Sequence, residues 1–130
     1  MFNSSTFDYI NVLGKAADAS WLRNDAIANN IANVDTPGYK RQDVSFEGEL
    51  KRALGNRRYL SMDEKVGRLT NAELKPRTYI DHGNYSYRMD GNNVDIDTEN
   101  VKLAENQAYY SGLTNGINAE FNFLTMVSKA

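Results

Sequence analysis

Ala28-Asn29-Asn30-Ile31-Ala32-Asn33-Val34-Asp35-Thr36-Pro37-Gly38-Tyr39-Lys40 decides how this chain is organised, because it ends a helix abruptly. Pro37 pushes Thr36 out of the α region. Pro37-Gly38 fits the two central positions of a type II turn, with Gly38 at positive φ. Asn33 and Asp35 can satisfy the last helical carbonyls or cap the turn through their side chains. Several asparagines in one helix end cost helicity, and a plain stop needs only Gly or Pro. Carboxamides donate as well as accept, so Asn29, Asn30 and Asn33 suit specific contacts between neighbouring helix ends.

Upstream of the stop, residues 1–34 read as one long helix. Ile10, Leu13, Ala17, Ser20, Asn24, Ile27, Ile31 and Val34 alternate by three and four, the seam of a coiled coil. Ser20 and Asn24 weaken its middle. Residues 98–130 mirror this segment. Asp97 or Thr98 can cap the start, and Glu99 suits the first turn. Leu103, Tyr110, Ile117 and Leu124 fall seven apart, Leu113 and Val127 occupy the complementary positions, and Asn106 and Glu120 are polar exceptions. The expected fold is mostly α, with two long terminal helices forming an antiparallel coiled-coil pair. Each helix carries apolar residues on more than one side, including Tyr9, Trp21, Tyr109 and Phe123. Either the central segment or other subunits must cover them. Stripes of this length point to subunits.

Residues 35–97 form a different, central subdomain holding 11 of the 15 basic residues and both prolines. Ser45–Leu54 reads as a short helix capped by Ser45 and ended by Gly55, with Glu47 and Glu49 in its first turn. Residues 56–76 read as loop. Thr78–Ile80 and Tyr85–Met89 form short β-like runs around the turn cluster Asp81-His82-Gly83-Asn84, so a β-hairpin is expected. Asp90-Gly91-Asn92-Asn93 is a second turn, followed by Val94-Asp95-Ile96-Asp97.

The inventory excludes most chemistry. A chain of 130 residues supports one modest domain. With 15 basic and 17 acidic residues the net charge is −2, a poor match to nucleic acid. Having no cysteine removes disulfides, thiolate metal sites and thiol nucleophiles. The single histidine, His82, stands in a turn and reads as solvated. Asp90–Glu99 is rich in carboxylates, but an EF-hand needs a ligand at its fifth position and Gly at its sixth, where Val94 and Asp95 stand. No cofactor or metal is expected. No run reaches the roughly 18 apolar residues of a spanning helix. The N-terminus lacks the basic and apolar regions of a cleavable secretory signal.

Ala28–Asn33 with Asp35-Thr36-Pro37-Gly38-Tyr39 resembles the N-terminal signature of the bacterial flagellar rod and hook axial proteins, and the Asp-Thr-Pro-Gly-Tyr form resembles its proximal-rod members. Asp90-Gly91-Asn92-Asn93-Val94-Asp95, just before the C-terminal helix, agrees. The resemblance implies a structural subunit of the periplasm-crossing rod, the drive shaft of motility, whose terminal helices pack helically into an inner tube. It implies export through the flagellar type III apparatus. It also implies four partners: copies of itself, neighbouring rod proteins, the rod–ring adaptor protein and the export apparatus. The residues expected to carry assembly are Ile10, Leu13, Ile27, Ile31, the stop residues Asn29, Asn30, Asn33, Asp35, Thr36, Pro37, Gly38 and Tyr39, the turn residues Gly91, Asn92, Val94 and Asp95, and the heptad Leu103, Tyr110, Ile117 and Leu124. A helical-hairpin binding module or chaperone-like protein of the cytoplasm is the alternative from a different class.

Overall fold

The computed structural model describes residues 5–55, 59–69, 74–83 and 88–130. Helix α1 spans Ser5–Ala32 and helix α4 spans Ile96–Lys129, 28 and 34 residues. At 1.5 Å per residue they run about 42 and 51 Å. Between them lie β1 (Gln42–Ser45), α2 (Glu47–Gly55), α3 (Met62–Gly67) and β2 (Arg77–Ile80). No helix among the described residues is long and apolar enough to cross a membrane.

The terminal helices lie antiparallel. Asn30 bonds Glu99, Ser20 bonds Asn106, and a Cβ on Gly116 would touch Leu13, so ascending positions on α1 meet descending positions on α4. The buried face of α1 is Ala16, Ala19, Ser20, Ala26, Ile27 and Asn30. It departs from the expected seam: Asn24 is exposed, and Ile10, Leu13, Ala17, Ile31 and Val34 are only half-buried. The reason is that α1 is covered from two sides. Ser20 and Asn30 meet α4, while Ala16 and Ala19 form the core with Phe46 and Leu74 of the central segment, flanked by Val12, Leu50, Leu69 and Leu113. On α4 the two buried residues are Glu99 and Asn106, and Leu113 continues their seven-residue row into the core. The apolar heptad sits beside that row, with Leu103, Ile117 and Leu124 half-buried and Tyr110 exposed. Asn106, read as a polar exception, thus faces α1.

Two local expectations are corrected, and one strand has a partner that the sequence did not show. Ser45 does not cap α2; it is the last residue of β1, and the Phe46 carbonyl accepts the first helical bond, from the Leu50 N–H. The partner of β2 is β1, antiparallel, with Val44 opposite Thr78 and Ser45 opposite Arg77. Of the Tyr85–Met89 run expected to pair with β2 in a hairpin, residues 85–87 lie outside those described, and Arg88 and Met89 lie in a bend and turn. Val44, buried in the middle of a four-residue strand, anchors this long-range pairing. Finally, the expected loop 56–76 contains α3, opened by a capping box in which Ser61 accepts from the Glu64 N–H and Glu64 accepts from the Ser61 N–H.

Helix α4 begins two residues earlier than expected. Asp95 is its cap, accepting from the Asp97 and Thr98 N–H groups, and the Thr98 hydroxyl donates to the other carboxylate oxygen. The Thr98 hydroxyl and N–H hold the Asp95 carboxyl below its ordinary range.

Candidate assembly site

The two motifs singled out in the sequence, 55 residues apart, meet at one end of the molecule. Gly38 adopts φ +73° and Gly91 φ +77°, a backbone conformation that favours glycine. The Tyr39 N–H returns to the Thr36 carbonyl at 3.2 Å, which with the positive φ of Gly38 gives the expected type II features. The two glycines face each other: the Gly38 N–H donates to the Asp90 carbonyl at 2.7 Å.

Asn92 ties down the turn that follows α1. The last carbonyls of the helix itself are met within the turn, the Asn33 N–H reaching the Asn29 and Asn30 carbonyls and the Val34 N–H the Ile31 carbonyl. The Asn92 amide, fully buried, supplies donors from across the chain. Its Nδ2 lies 2.9, 3.0 and 2.9 Å from the carbonyl oxygens of Asn33, Val34 and Thr36. Its Oδ1 accepts from the Val94 N–H at 2.8 Å, fixing its own loop. Arg88 adds a guanidinium bond to the Val34 carbonyl, and the Lys40 ammonium bonds the Gly91 carbonyl. Of the stop motif's own side chains, Asn33 donates to the Asn29 carbonyl and accepts from Thr36, as its type predicts. Asp35 points to solvent and only approaches Arg88, at 3.9 Å.

One turn back, Asn30 is the junction of α1, β1 and α4. Its Nδ2 donates to the Gln42 carbonyl at 2.8 Å and to Glu99 at 3.0 Å; its Oδ1 accepts from the Gln42 N–H and the Tyr39 hydroxyl. Every hydrogen-bonding position of the carboxamide is used. Glu99, 1% exposed, receives the Arg41 Nε–H at 2.7 Å on its other oxygen. Arg41 also donates to Asp81 at 2.8 Å and Asp43 at 3.2 Å. Burial works against the Arg41 charge, but the hydrogen bonds to Glu99 and Asp81 more than offset it and hold the guanidinium protonated. Arg41 and the Gly83 N–H hold the Asp81 carboxyl below its ordinary range. Asn93 completes the ring, accepting from the Arg41 N–H and donating to the Asp81 carbonyl.

This arrangement is a clasp. It spends its donors on its own acceptors, so it can fix the angle between the helical pair and the β-strands but has no free reactive group. No cluster suited to a metal ion occurs among the described residues. The sequence picked out Asn30, Tyr39, Gly91, Asn92 and Val94, which the fold brings together here. It passed over Arg41, Asp81 and Arg88, and took Glu99 as a first-turn acid only. The one available signal was Arg41 standing just beyond the stop motif.

The remaining sequence candidates lie along the helices. Ile27 is buried, whereas Asn29 is exposed beside the stop. A groove of about 460 Å³ between α1, β1 and α4 is lined by Arg23, Asp43, Glu47, Lys102 and Tyr109 among others. The Arg23 guanidinium grips Glu47 and holds its carboxyl low. Along both helices large apolar side chains stay outside: Phe7, Trp21 and Leu22 on α1, and Val101, Tyr109, Tyr110, Phe121, Phe123, Met126 and Val127 on α4.

Residues 10–40 match the family model described as flagella basal body rod protein. Over 124 residues the chain is 40% identical to the flagellar basal body rod protein FlgB of Borrelia hermsii, covering 86% of this chain and 89% of the relative. The protein of the same name from Bacillus subtilis is 32% identical over 127 residues, covering 98% of this chain and 95% of the relative. That from Borreliella burgdorferi is 36% identical over 121 residues, covering 86% and 89%. This chain therefore belongs to the FlgB family of flagellar basal body rod proteins, as a structural component of the flagellar rod and not an enzyme.

Proposed function

We propose that the chain is a subunit of the proximal rod that assembles helically with its own copies through its two terminal helices, residues 1–34 and 98–130, around the central subdomain of residues 35–97. The observation that carries this reading is the combination of a closed clasp at one end with uncovered apolar faces along both helices. The clasp holds the helices at a set angle. Trp21, Tyr109, Tyr110, Phe121 and Phe123 then stand where neighbouring subunits can bury them. In that setting the heptad Leu103, Tyr110, Ile117 and Leu124 extends the helical pair as a coiled coil into adjacent copies. The stop and turn residues act by aiming the helices. Neighbouring rod proteins and the rod–ring adaptor protein are the partners at the two ends of the stack, in the part of the rod that crosses the periplasm. The flagellar export apparatus delivers the chain there.

The test is fractionation. Cells carrying an epitope-tagged copy as their only source of this protein should remain motile, and the tagged chain should co-purify with basal bodies through detergent extraction. Recovery solely in the soluble cytoplasmic fraction of motile cells contradicts the proposal and favours a cytoplasmic binding module.

A further inference from the structure

The middle of the helical pair holds a polar rung where an apolar contact would be expected. Ser20 is 1% exposed and Asn106 5% exposed. The Ser20 hydroxyl donates to Asn106 Oδ1 at 3.0 Å, and Asn106 Nδ2 donates to the Ser20 carbonyl at 2.8 Å. Turning α4 by about 40° around its axis, the angle between positions four residues apart, would take Asn106 out of the interface and bring Tyr110 into it. The heptad Leu103, Tyr110, Ile117 and Leu124 is more apolar than the row Glu99, Asn106, Leu113 and Glu120 that faces α1, so burial of apolar area favours the turn. Space does not forbid it. A groove of about 250 Å³, lined by Ser20, Trp21, Asn24, Asn106, Gln107 and Tyr110, lies open on the side to which Tyr110 would move. What resists is the rung, because rotation breaks both of its hydrogen bonds and leaves the Ser20 hydroxyl buried under Tyr110 without a partner.

We infer that Ser20 and Asn106 are positioning residues that set the rotation of α4 on α1 beyond the clasp and keep Tyr110, 43% exposed, on the outside. A single buried polar contact can specify one arrangement over more apolar alternatives. The inference concerns the fold of one chain. Its consequence, that Tyr110 is held available to neighbours, rests on the function proposed above.

The chain has no cysteine, so single thiols report position without background. Tyr110→Cys and Leu113→Cys are each made in the full chain and in a Ser20→Ala/Asn106→Leu background, and maleimide labelling rates are measured on purified monomer. With the rung present, the thiol at 110 should react about tenfold faster than that at 113; without it the ratio should fall to about one or below. Ser20→Thr, which keeps the hydroxyl, should restore the ratio when paired with native Asn106. Circular dichroism should report unchanged helicity throughout. A ratio unaffected by losing the rung, a ratio near one in the parent, or unfolding of the rung-less chain each overturns the inference. Motility of the same variants reads the assembly proposal separately: lost labelling contrast with full motility removes the consequence for the rod and leaves the positioning role standing.

Discussion

Asn30 and Glu99, 69 residues apart, are joined by a 3.0 Å hydrogen bond in which neither side chain is exposed to solvent by more than 1%. The carboxylate is shared with Arg41 at 2.7 Å. Through this pair the last turn of the N-terminal helix, the first turn of the C-terminal helix and the strand between them become one rigid junction. Removing the carboxylate should therefore cost more than its small size suggests. Glu99→Ala is expected to destabilise the purified protein by about 3 kcal/mol, because it removes the buried acceptor of the Arg41 Nε–H and of one Asn30 amide N–H. Glu99→Gln keeps an acceptor for one of them and should lose less. Chemical denaturation of the three proteins checks the order.

Gly38→Val tests the turn. A Cβ at Gly38 meets nothing within 4 Å, so any penalty is conformational and comes from φ +73°. The expected loss is about 1–2 kcal/mol, with a misdirected chain leaving the helix. Cells carrying the variant should express it near normally yet lose motility. Full motility would mean that the direction set by this turn is not required.

The acid response of the clasp follows from Asp81. Its folded-state pKa is lowered by Arg41, so it contributes stability that is present above its unfolded pKa and lost as pH falls through the folded one. The window opens at about pH 4 and extends downward. Stability measured from neutral pH into this range should fall more steeply for the parent than for Asp81→Asn. Parallel curves would show that the Arg41–Asp81 contact carries no linkage.

Ile117→Asp and Asn118→Asp add the same charge one residue apart. Ile117 is half-buried beside the row that faces α1, whereas Asn118 is exposed. A carboxylate in a buried contact costs several kcal/mol or loses the contact by protonation. Ile117→Asp should abolish rod incorporation and motility, and Asn118→Asp should largely spare both. Equal effects in swimming assays and basal-body blots would contradict the placement of this heptad.

The long helices and the stop were legible because their signals are local. Periodicity, Pro37-Gly38 and the Gly91 turn act within a few residues, and both glycines adopt the positive φ their contexts require. The capping box Ser61-Met62-Asp63-Glu64 was equally local and opens a helix in a stretch read as loop. The clasp was not legible in full, since Arg41 could pair with any of several carboxylates and only the fold selects Glu99, Asp81 and Asp43. The β1–β2 pairing was not legible for the same reason: Val44 and Thr78 lie far apart in sequence. The facing row of α4 was misassigned because hydrophobic periodicity assumes that the most apolar stripe is the inner one. Here buried Glu99 and Asn106 are satisfied by specific partners, and the apolar stripe lies to one side.

The central claim is that the apolar faces left open on the two helices are covered in the rod. Trp21, the only tryptophan and 60% exposed, is the most direct reporter. In an otherwise cysteine-free chain, Trp21→Cys and Phe123→Cys can be labelled with a maleimide–polyethylene glycol reagent, as purified monomer and within basal bodies isolated from motile cells, and the mass shift of this chain read on a blot. The account predicts ready labelling of both thiols in the monomer and protection of both in the basal body. Equal labelling in the two states would show that these faces stay open after assembly, and would contradict the account.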